Sequence, residues 1–542
     1  MDLGATRIDD PGYGENMTWE YVIVGSGFGG SVSALRLAEK GYRVLVLEKG
    51  KRFGKDDFPK TNRDLKRWMW NPALGMHGIF QMTFLRHVTI VHGVGVGGGS
   101  LVYANTLPLP TDGFYEARTW RHLADWKQDL APHYAMARKM LGAVKNTHLT
   151  PADHILKNIA KDIGREDHFD TPHVAVYFGE PGREVPDPYF GGKGPPRTGC
   201  IECGACMTGC RHGAKNTLDH NYLYLAEQRG VEVRPETEVI AVRPRSGGGY
   251  VLETRSSLRR SDVSRIEAER VIFSGGVMGT IPLLLKMKED PNGLPQLSDR
   301  LGDFVRTNSE SLISVSAPDA TDDFSRGIAI TSILHTDEHS HLEPVRYGPG
   351  SDFFKRLILP HAPGRNAFVR IGKSLASLVK NARLWAKTYT SSKYTEHDAI
   401  LLYMRTLESS LRFRLGRSPL TGFKKGLVSE LDAGNEAPRA FIPEATDLAE
   451  RFARHVKGVT GTLFSETIIG SPTTAHILGG ACMGATASEG VIDAQHRVFG
   501  YDGLYVIDGA AISANPGVNP SLTITALAER AMTFIPAKRN TA

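Results

Sequence analysis

WEYVIVGSGFGG, residues 19–30, is the stretch that decides the fold. Trp19 to Val24 is a short apolar run of strand type, and Gly25-Ser26-Gly27-Phe28-Gly29-Gly30 follows without a spacer. The spacing is G-x-G-x-x-G, and a helical stretch from Ser31 to Lys40, closed by Gly41, comes next. The glycines differ in what they permit. Gly25 allows a tight turn, Gly27 lets the backbone approach a pyrophosphate, and Gly30 lets helix and strand pack closely. The helix N-terminus then points free amide hydrogens at the phosphates. A second strand, Arg43 to Leu47, ends in Glu48, eighteen residues past Gly30, where a carboxylate accepts hydrogen bonds from a ribose diol. Together these parts predict a Rossmann-like dinucleotide-binding unit in an α/β chain. The acidic Glu48 disfavours a 2′-phosphate, and on this motif FAD and NAD both remain open.

The chain has 542 residues, several times the roughly 150 of a typical domain, so more than one unit is expected. Apolar residues at 41% and charged ones at 23% exclude a disordered chain. No apolar run reaches the ~18 residues of a spanning helix. Met1 to Trp19 carries four acidic residues and no apolar core, so it does not read as a secretory signal. A net charge of +6 is too diluted to argue for nucleic acid. Five cysteines are too few to staple so long a chain, and a reducing, cytoplasmic setting is expected.

A second glycine run, HGVGVGGGSLVYAN, spans residues 92–105 between the apolar strand Val88 to Val91 and the apolar Leu101, Val102 and Tyr103. Glycines so placed let backbone come close to something flat or charged. With Val271 to Gly276 (VIFSGG) and Thr474 to Arg530, these motifs resemble the glucose–methanol–choline (GMC) oxidoreductases over almost the whole chain. Within that family the cholesterol-oxidase branch, of mycobacterial type, is the one resembled most. The resemblance implies a discontinuous Rossmann-like FAD-binding domain (15–61, 86–110, 195–312 and 464–542) and a sheet-based substrate-binding domain (62–85, 111–194 and 313–463). Strands are expected at Val231 to Val242, Gly249 to Thr254 and Arg270 to Ser274. The FAD contacts it implies are Gly25, Gly27, Gly30, Glu48, Gly97, Gly98, Gly99, Ser100, Asn105, Val239, Asp508, Gly509 and Pro520. Cholesterol oxidases carry an asparagine directly after GGGSLV, whereas here Tyr103 holds that place and Asn105 lies two further on. Ser100 to Asn105 contains no histidine, so FAD is expected to be bound without a covalent link.

His476 lies in an apolar, glycine-rich setting, and by itself such a histidine is more often structural. The resemblance pairs it with Asn519, in the NPGVNP run 515–520, beside the reactive nitrogen of a flavin. A neutral imidazole can take a hydroxyl proton near neutral pH, and an amide can donate to an alkoxide-like oxygen. A helix starting near Pro520 would aim its positive end at the flavin. The third implied catalytic residue is Glu343, associated with moving a steroid double bond; an exposed loop glutamate is the alternative, and Glu310 competes for the same role.

Cys200, Cys203, Cys206 and Cys210 form C-x2-C-x2-C-x3-C within residues 200–210. This is the spacing of a ferredoxin loop, so an iron–sulfur cluster of 4Fe-4S type is expected, with zinc, or thiols with no metal, as the alternatives. Cys482 is the rival fourth ligand.

The expected reaction is FAD-dependent oxidation of a hydrophobic secondary alcohol, a 3β-hydroxysteroid such as cholesterol, with oxygen or a one-electron carrier as acceptor. The alternatives are a GMC dehydrogenase that passes electrons from another alcohol through the cluster, and an electron-transfer flavoprotein subunit with no alcohol chemistry. Ser351 to Lys393 holds nine Lys/Arg and one acid, with Phe368, Ile371, Leu375, Leu378, Ala382 and Trp385 at helical spacing. It reads as a surface helix with its apolar face on the core, or as an interfacial helix that brings the enzyme to the surface of an anionic membrane.

Overall fold

Trp19–Val24 is a buried central strand, as its apolar run requires, with Val22 paired in parallel to Leu45 on one side and Val271 on the other. The structure is a computed structural model, and it describes residues 18–259, 263–432, 434 and 436–539. The reading of Met1 to Trp19 therefore falls almost wholly outside the described residues, as do residues 15–17 and 540–542 of the expected FAD-binding segments.

The first sheet runs Glu232–Arg234, Val44–Leu47, Trp19–Val24, Ser264–Phe273, Tyr250–Ser256, Thr237–Pro244. The end of Ser264–Phe273 also carries Leu504–Val506 in parallel, so the first and last parts of the chain share one sheet. The run Val231 to Val242 is two strands and not the single one expected. Pro235 cannot donate to a ladder, and Glu236 turns the chain at φ 56°.

The glycine turn leads directly into the helix Phe28–Glu39, three residues earlier than the sequence suggested, so Gly29 and Gly30 lie inside its first turn. A Cβ on Gly30 would stand 2.1 Å from the Gly25 carbonyl oxygen, and one on Gly29 would stand 1.7 Å from that of Ile507. Arg36 of this helix donates to Glu529 at 2.7 and 2.8 Å, and Tyr222 closes the same carboxylate at 2.6 Å. This buried cluster fixes Phe28–Glu39 against the C-terminal helix Ser521–Thr533.

The second sheet is antiparallel, in the order Ile358–Pro360, Val459–Leu463, Ser311–Ser316, Asp398–Arg405, Ser340–Val345, Ile333–His335, Phe169–Asp170. Alternation along the strands separates its faces. Ile313, Val315, Leu342, Ala399, Leu401 and Tyr403 pack with the helices Pro151–Asp162 and Pro443–Val456. Leu312, Glu343 and Leu402 stand side by side on the other face. The strand Ser311–Ser316 crosses the expected segment boundary at 312/313.

The basic stretch forms two helices, Ala367–Lys380 and Ala382–Thr390, separated by Asn381. Trp385 is buried as expected, but the first helix is turned the opposite way. Its buried residues are Arg370 and Ser374, while Phe368, Leu375 and Val379 are 89%, 57% and 80% exposed. The reason is Arg370, whose guanidinium donates to the carbonyls of Gly364, Thr467 and Ile468 and holds the polar side inward. Among the described residues, no helix is long and apolar enough to cross a membrane.

The Gly29 contact sets a stability test. Gly29→Ala forces the helix away from Ile507, and a loss of about 1–3 kcal/mol is expected, read as a lower denaturant midpoint at unchanged slope.

Candidate active site

Both sheets line one cavity of about 580 Å³. Glycine backbone forms part of its wall and apolar side chains form another part, Leu312, Ile330, Val345, Tyr347, Ile400 and Leu402 among them. On the glycine side the helices Phe28–Glu39, Val277–Glu289 and Ser521–Thr533 all begin at the wall. Three helix N-termini give this wall a positive character suited to phosphate and to an electron-rich ring. Positions Gly27 and Gly279 meet no atom within 4 Å where a Cβ would stand, so the backbone leaves room for a ligand to lie against it. The residues present therefore fit a dinucleotide.

Of the residues expected to hold FAD, Gly25, Gly27, Glu48, Gly98, Gly99, Val239, Asp508, Gly509 and Pro520 line this cavity. Glu48 accepts from the Ser26 backbone at 3.1 Å, the Ser26 hydroxyl at 2.8 Å and the Gly50 backbone at 2.8 Å, which fixes its carboxylate at the wall. Asp508 accepts from Gly276, Thr280 and Ala510, and burial pushes its carboxyl up to about 6. Gly30, Gly97 and Ser100 stand behind the wall and shape it: Ser100 donates to the Gly97 carbonyl at 2.7 Å and accepts from Leu218 at 3.0 Å. Asn105 is a correction. At φ 69° its backbone is left-handed, and its side chain lies against the Cys206 thiol, while Tyr103, Ala104 and Thr106 face the cavity.

Another part of the wall carries His476 and Asn519. His476 follows Thr473–Thr474, which pairs in parallel with Thr89–Gly93. Its Nδ1 meets Glu310 Oε2 at 2.6 Å, and the Ala475 amide donates to the other Glu310 oxygen at 2.6 Å. A carboxylate at Nδ1 places the ring proton there and leaves Nε2 as an acceptor. Burial disfavours the charged imidazole, but the Glu310 carboxylate and its hydrogen bond, with Glu343 beyond, outweigh it and raise His476 above its ordinary value. Glu310 is presented by a tight turn in which Asn308 and Ser309 are left-handed, at φ 59° and 46°. The Asn308 amide donates to the Val518 carbonyl at 2.9 Å, joining this turn to the NPGVNP loop.

Glu343 is fully buried on the strand Ser340–Val345 and not on an exposed loop. With its amide nitrogen toward Glu343, Asn519 donates to the two carboxylate oxygens at 3.0 and 3.2 Å. One amide N–H can bridge both oxygens, which leaves the second for a ligand in the cavity. Glu310 and Glu343 thus act on different partners, the first orienting the histidine and the second the asparagine.

Three groups escaped sequence reasoning. Pairing between Glu310 and His476 joins residues 166 apart and has no local signal. His92 lines the cavity, and burial, helped by Lys49, lowers it to about 3; its place at the head of the glycine run was the available hint. Glu466, raised by burial to about 7, accepts from Thr462 and Thr473 in the turn before His476.

The cysteine loop lends no support to the expected metal centre. Cys200, Cys203, Cys206 and Cys210 line a common cavity of about 20 Å³, and all five cysteines are free thiols. Cys200, Cys206 and Cys210 pack against Val174, Val176, Ala214 and Ile328 as small apolar side chains, and burial raises the Cys200, Cys203 and Cys206 thiols. Among the described residues no group of three or more His, Cys, Asp or Glu side chains is gathered closely enough to hold a metal ion. The geometry supports neither the cluster nor zinc. Cys482 is buried elsewhere, 3.5 Å from Arg306.

Family models described as GMC oxidoreductase match residues 196–288 and 437–528, and one described as NAD(P)-binding Rossmann-like domain matches 23–84. A cholesterol oxidase of Acinetobacter baumannii is 43% identical over 534 residues, covering 96% of this chain and 95% of that protein. One of Mycobacterium tuberculosis is 44% identical over 538 residues, covering 96% and 92%. Among solved structures, a pyridoxine 4-oxidase from Mesorbium loti shares the fold, with a TM-score of 0.61 at 14% identity over 95% of this chain and 99% of that one. The chain belongs to the GMC oxidoreductases. It is an FAD-dependent alcohol oxidoreductase.

The open space at Gly27 gives a test. A Cβ at Gly27 meets no protein atom within 4 Å, so Gly27→Ala is expected to purify folded, with the denaturant midpoint of the flavin-stripped parent, but with less of the visible absorbance of bound flavin.

Proposed function

We propose that this enzyme oxidises the 3β-hydroxyl of a sterol such as cholesterol to the ketone, with molecular oxygen as the final acceptor and non-covalently held FAD. The observation that carries this reading is 43–44% identity over 96% of the chain to two bacterial cholesterol oxidases. The apolar wall built by Leu312, Ile330, Val345, Ile400 and Leu402 supports it, because a rigid hydrocarbon body gains most from such a surface.

Bound along the glycine wall, FAD supplies the hydride acceptor and the route of two electrons to oxygen. The protein's part is proton handling and orientation. His476 Nε2 takes the hydroxyl proton as the hydride leaves the carbinol carbon, and Glu310 holds the imidazole in the tautomer this needs and stabilises the charge it gains. Asn519, braced by Glu343, offers its second N–H to the substrate oxygen. Glu343, on the cavity face of its strand, is assigned the proton shuttle that moves the double bond into conjugation with the new ketone. A subunit that only relays electrons would have no use for an imidazole held this way.

Four outcomes are expected. His476→Gln lowers kcat/KM for the sterol by about 10²–10⁴-fold in stopped-flow reduction under anaerobic conditions, with flavin content unchanged. In the parent, the base form of His476 is lost as pH falls through a value above the ordinary ~6.5, so the acid limb of the kcat/KM profile lies higher than that. Glu310→Gln removes the carboxylate that raises it, so the limb moves to lower pH as the rate drops. Glu343→Gln should leave alcohol oxidation and release a ketone whose double bond has not moved, identified by its ultraviolet absorbance. A parent enzyme that reduces with no sterol would overturn the substrate assignment.

A further inference from the structure

The helix Ala367–Lys380 is an unusual surface element. A surface helix normally hides its apolar stripe and shows its polar one. Here the polar residues Arg370 and Ser374 are buried, and Phe368, Ile371, Leu375 and Val379 form a stripe turned to solvent. These positions are three or four apart and therefore lie on one face. Arg370 locks this orientation through its three backbone carbonyl acceptors. Two of those carbonyls belong to the turn that carries Ile468 and Ile469, themselves 45% and 48% exposed. The apolar surface thus continues from the helix onto the neighbouring turn.

Charge on this surface is one-sided. Neither Ala367–Lys380 nor Ala382–Thr390 contains an acidic residue. Arg383 and Lys387 share one carboxylate, that of Asp319. Arg365, Lys373 and Lys380 have no carboxylate partner among the described residues, and Lys373 and Lys380 lie seven apart along one flank of the apolar stripe. An apolar stripe bordered by long cationic side chains fits the boundary between headgroups and acyl chains, where the ammonium groups reach back to anionic headgroups.

The position adds a reason for it. The helix packs on the strand Ile358–Pro360, and Ile358 lines the cavity together with Thr462 and Leu463 of the adjacent strand. We propose that the outward face of Ala367–Lys380, with the Ile468–Ile469 turn, docks this enzyme on an anionic lipid bilayer, next to the wall of the cavity that takes the substrate. The docking itself stands on the helix alone; its use in substrate uptake rests on the sterol reading above.

The test uses the full-length holoenzyme and vesicles of phosphatidylcholine, with or without about one third phosphatidylglycerol. Co-flotation is expected with the anionic vesicles and to weaken as salt rises. Phe368→Ser/Val379→Ser and Lys373→Glu/Lys380→Glu should each weaken it by at least about tenfold. Phe423→Ser, at a site 71% exposed on a different hairpin, should not. Both double variants should keep parental turnover of sterol dispersed in detergent and lose turnover of sterol held in anionic vesicles. Equal flotation with both vesicle types, or unchanged flotation of the variants, overturns the proposal. So does a concentration-dependent dimer that Phe368→Ser/Val379→Ser disperses, because a second copy then covers the face. If the parent floats but oxidises sterol in neither form, the substrate reading fails and the docking stands.

Discussion

The contact between Glu310 and the Nδ1 of His476, 2.6 Å long and shielded from water, is the constraint around which the rest of this molecule is arranged. Its two members come from different sheets. Glu310 leads into the strand Ser311–Ser316 of the antiparallel sheet, and His476 follows a short strand paired in parallel with Thr89–Gly93. A buried carboxylate needs partners for both oxygens, and here the imidazole and the Ala475 amide supply them. Removing either member leaves a polar group stranded, so the pair ties the antiparallel sheet to the small three-stranded sheet that holds Thr473–Thr474. The left-handed backbone at Asn308 and Ser309 is strain held at a functional turn, and the Asn308–Val518 bond offsets it by joining the turn to the loop that presents Asn519.

The cavity wall divides by chemistry. Backbone amides and three helix N-termini supply fixed positive potential on one part, beside the side chains of Lys49, Arg255 and Lys286. Buried acids accompany it: Glu48 and Asp508 are tied to backbone amides, and Asp508 is raised to about 6. The other part is hydrocarbon. A molecule with one polar end and a long apolar body is oriented by that division before any specific contact forms.

Local features were legible in the sequence and long-range ones were not. The strand Trp19–Val24, its glycine turn and Glu48 are consecutive, and each follows from spacing alone. Pro235 was visible in the run Val231 to Val242, yet the break it imposes was missed because the apolar pattern continues across it. The cysteine spacing suggested a cluster, but spacing says nothing of where thiols point, and these pack against Val176 and Ala214. The helix Ala367–Lys380 left two readings open for a related reason: periodicity identifies an apolar stripe without saying which side the core occupies, and Arg370 decides that through carbonyls about a hundred residues away. Glu310 was visible as a candidate, but its role became clear only when its partner was placed.

The pleat of the second sheet has a consequence for how this enzyme can change. Leu312, Glu343, Val345, Ile400 and Leu402 share one face because side chains alternate along each strand. Glu310 precedes Leu312 by two residues, so it continues the same row. Chemistry and substrate fit are therefore written on one surface at different rungs. Exchanging the aliphatic rungs reshapes the pocket while both carboxylates keep their places, and the core face, with Ile313, Leu342 and Leu401, is untouched. Pocket shape can therefore vary on this face without disturbing the packing of the sheet on its helices.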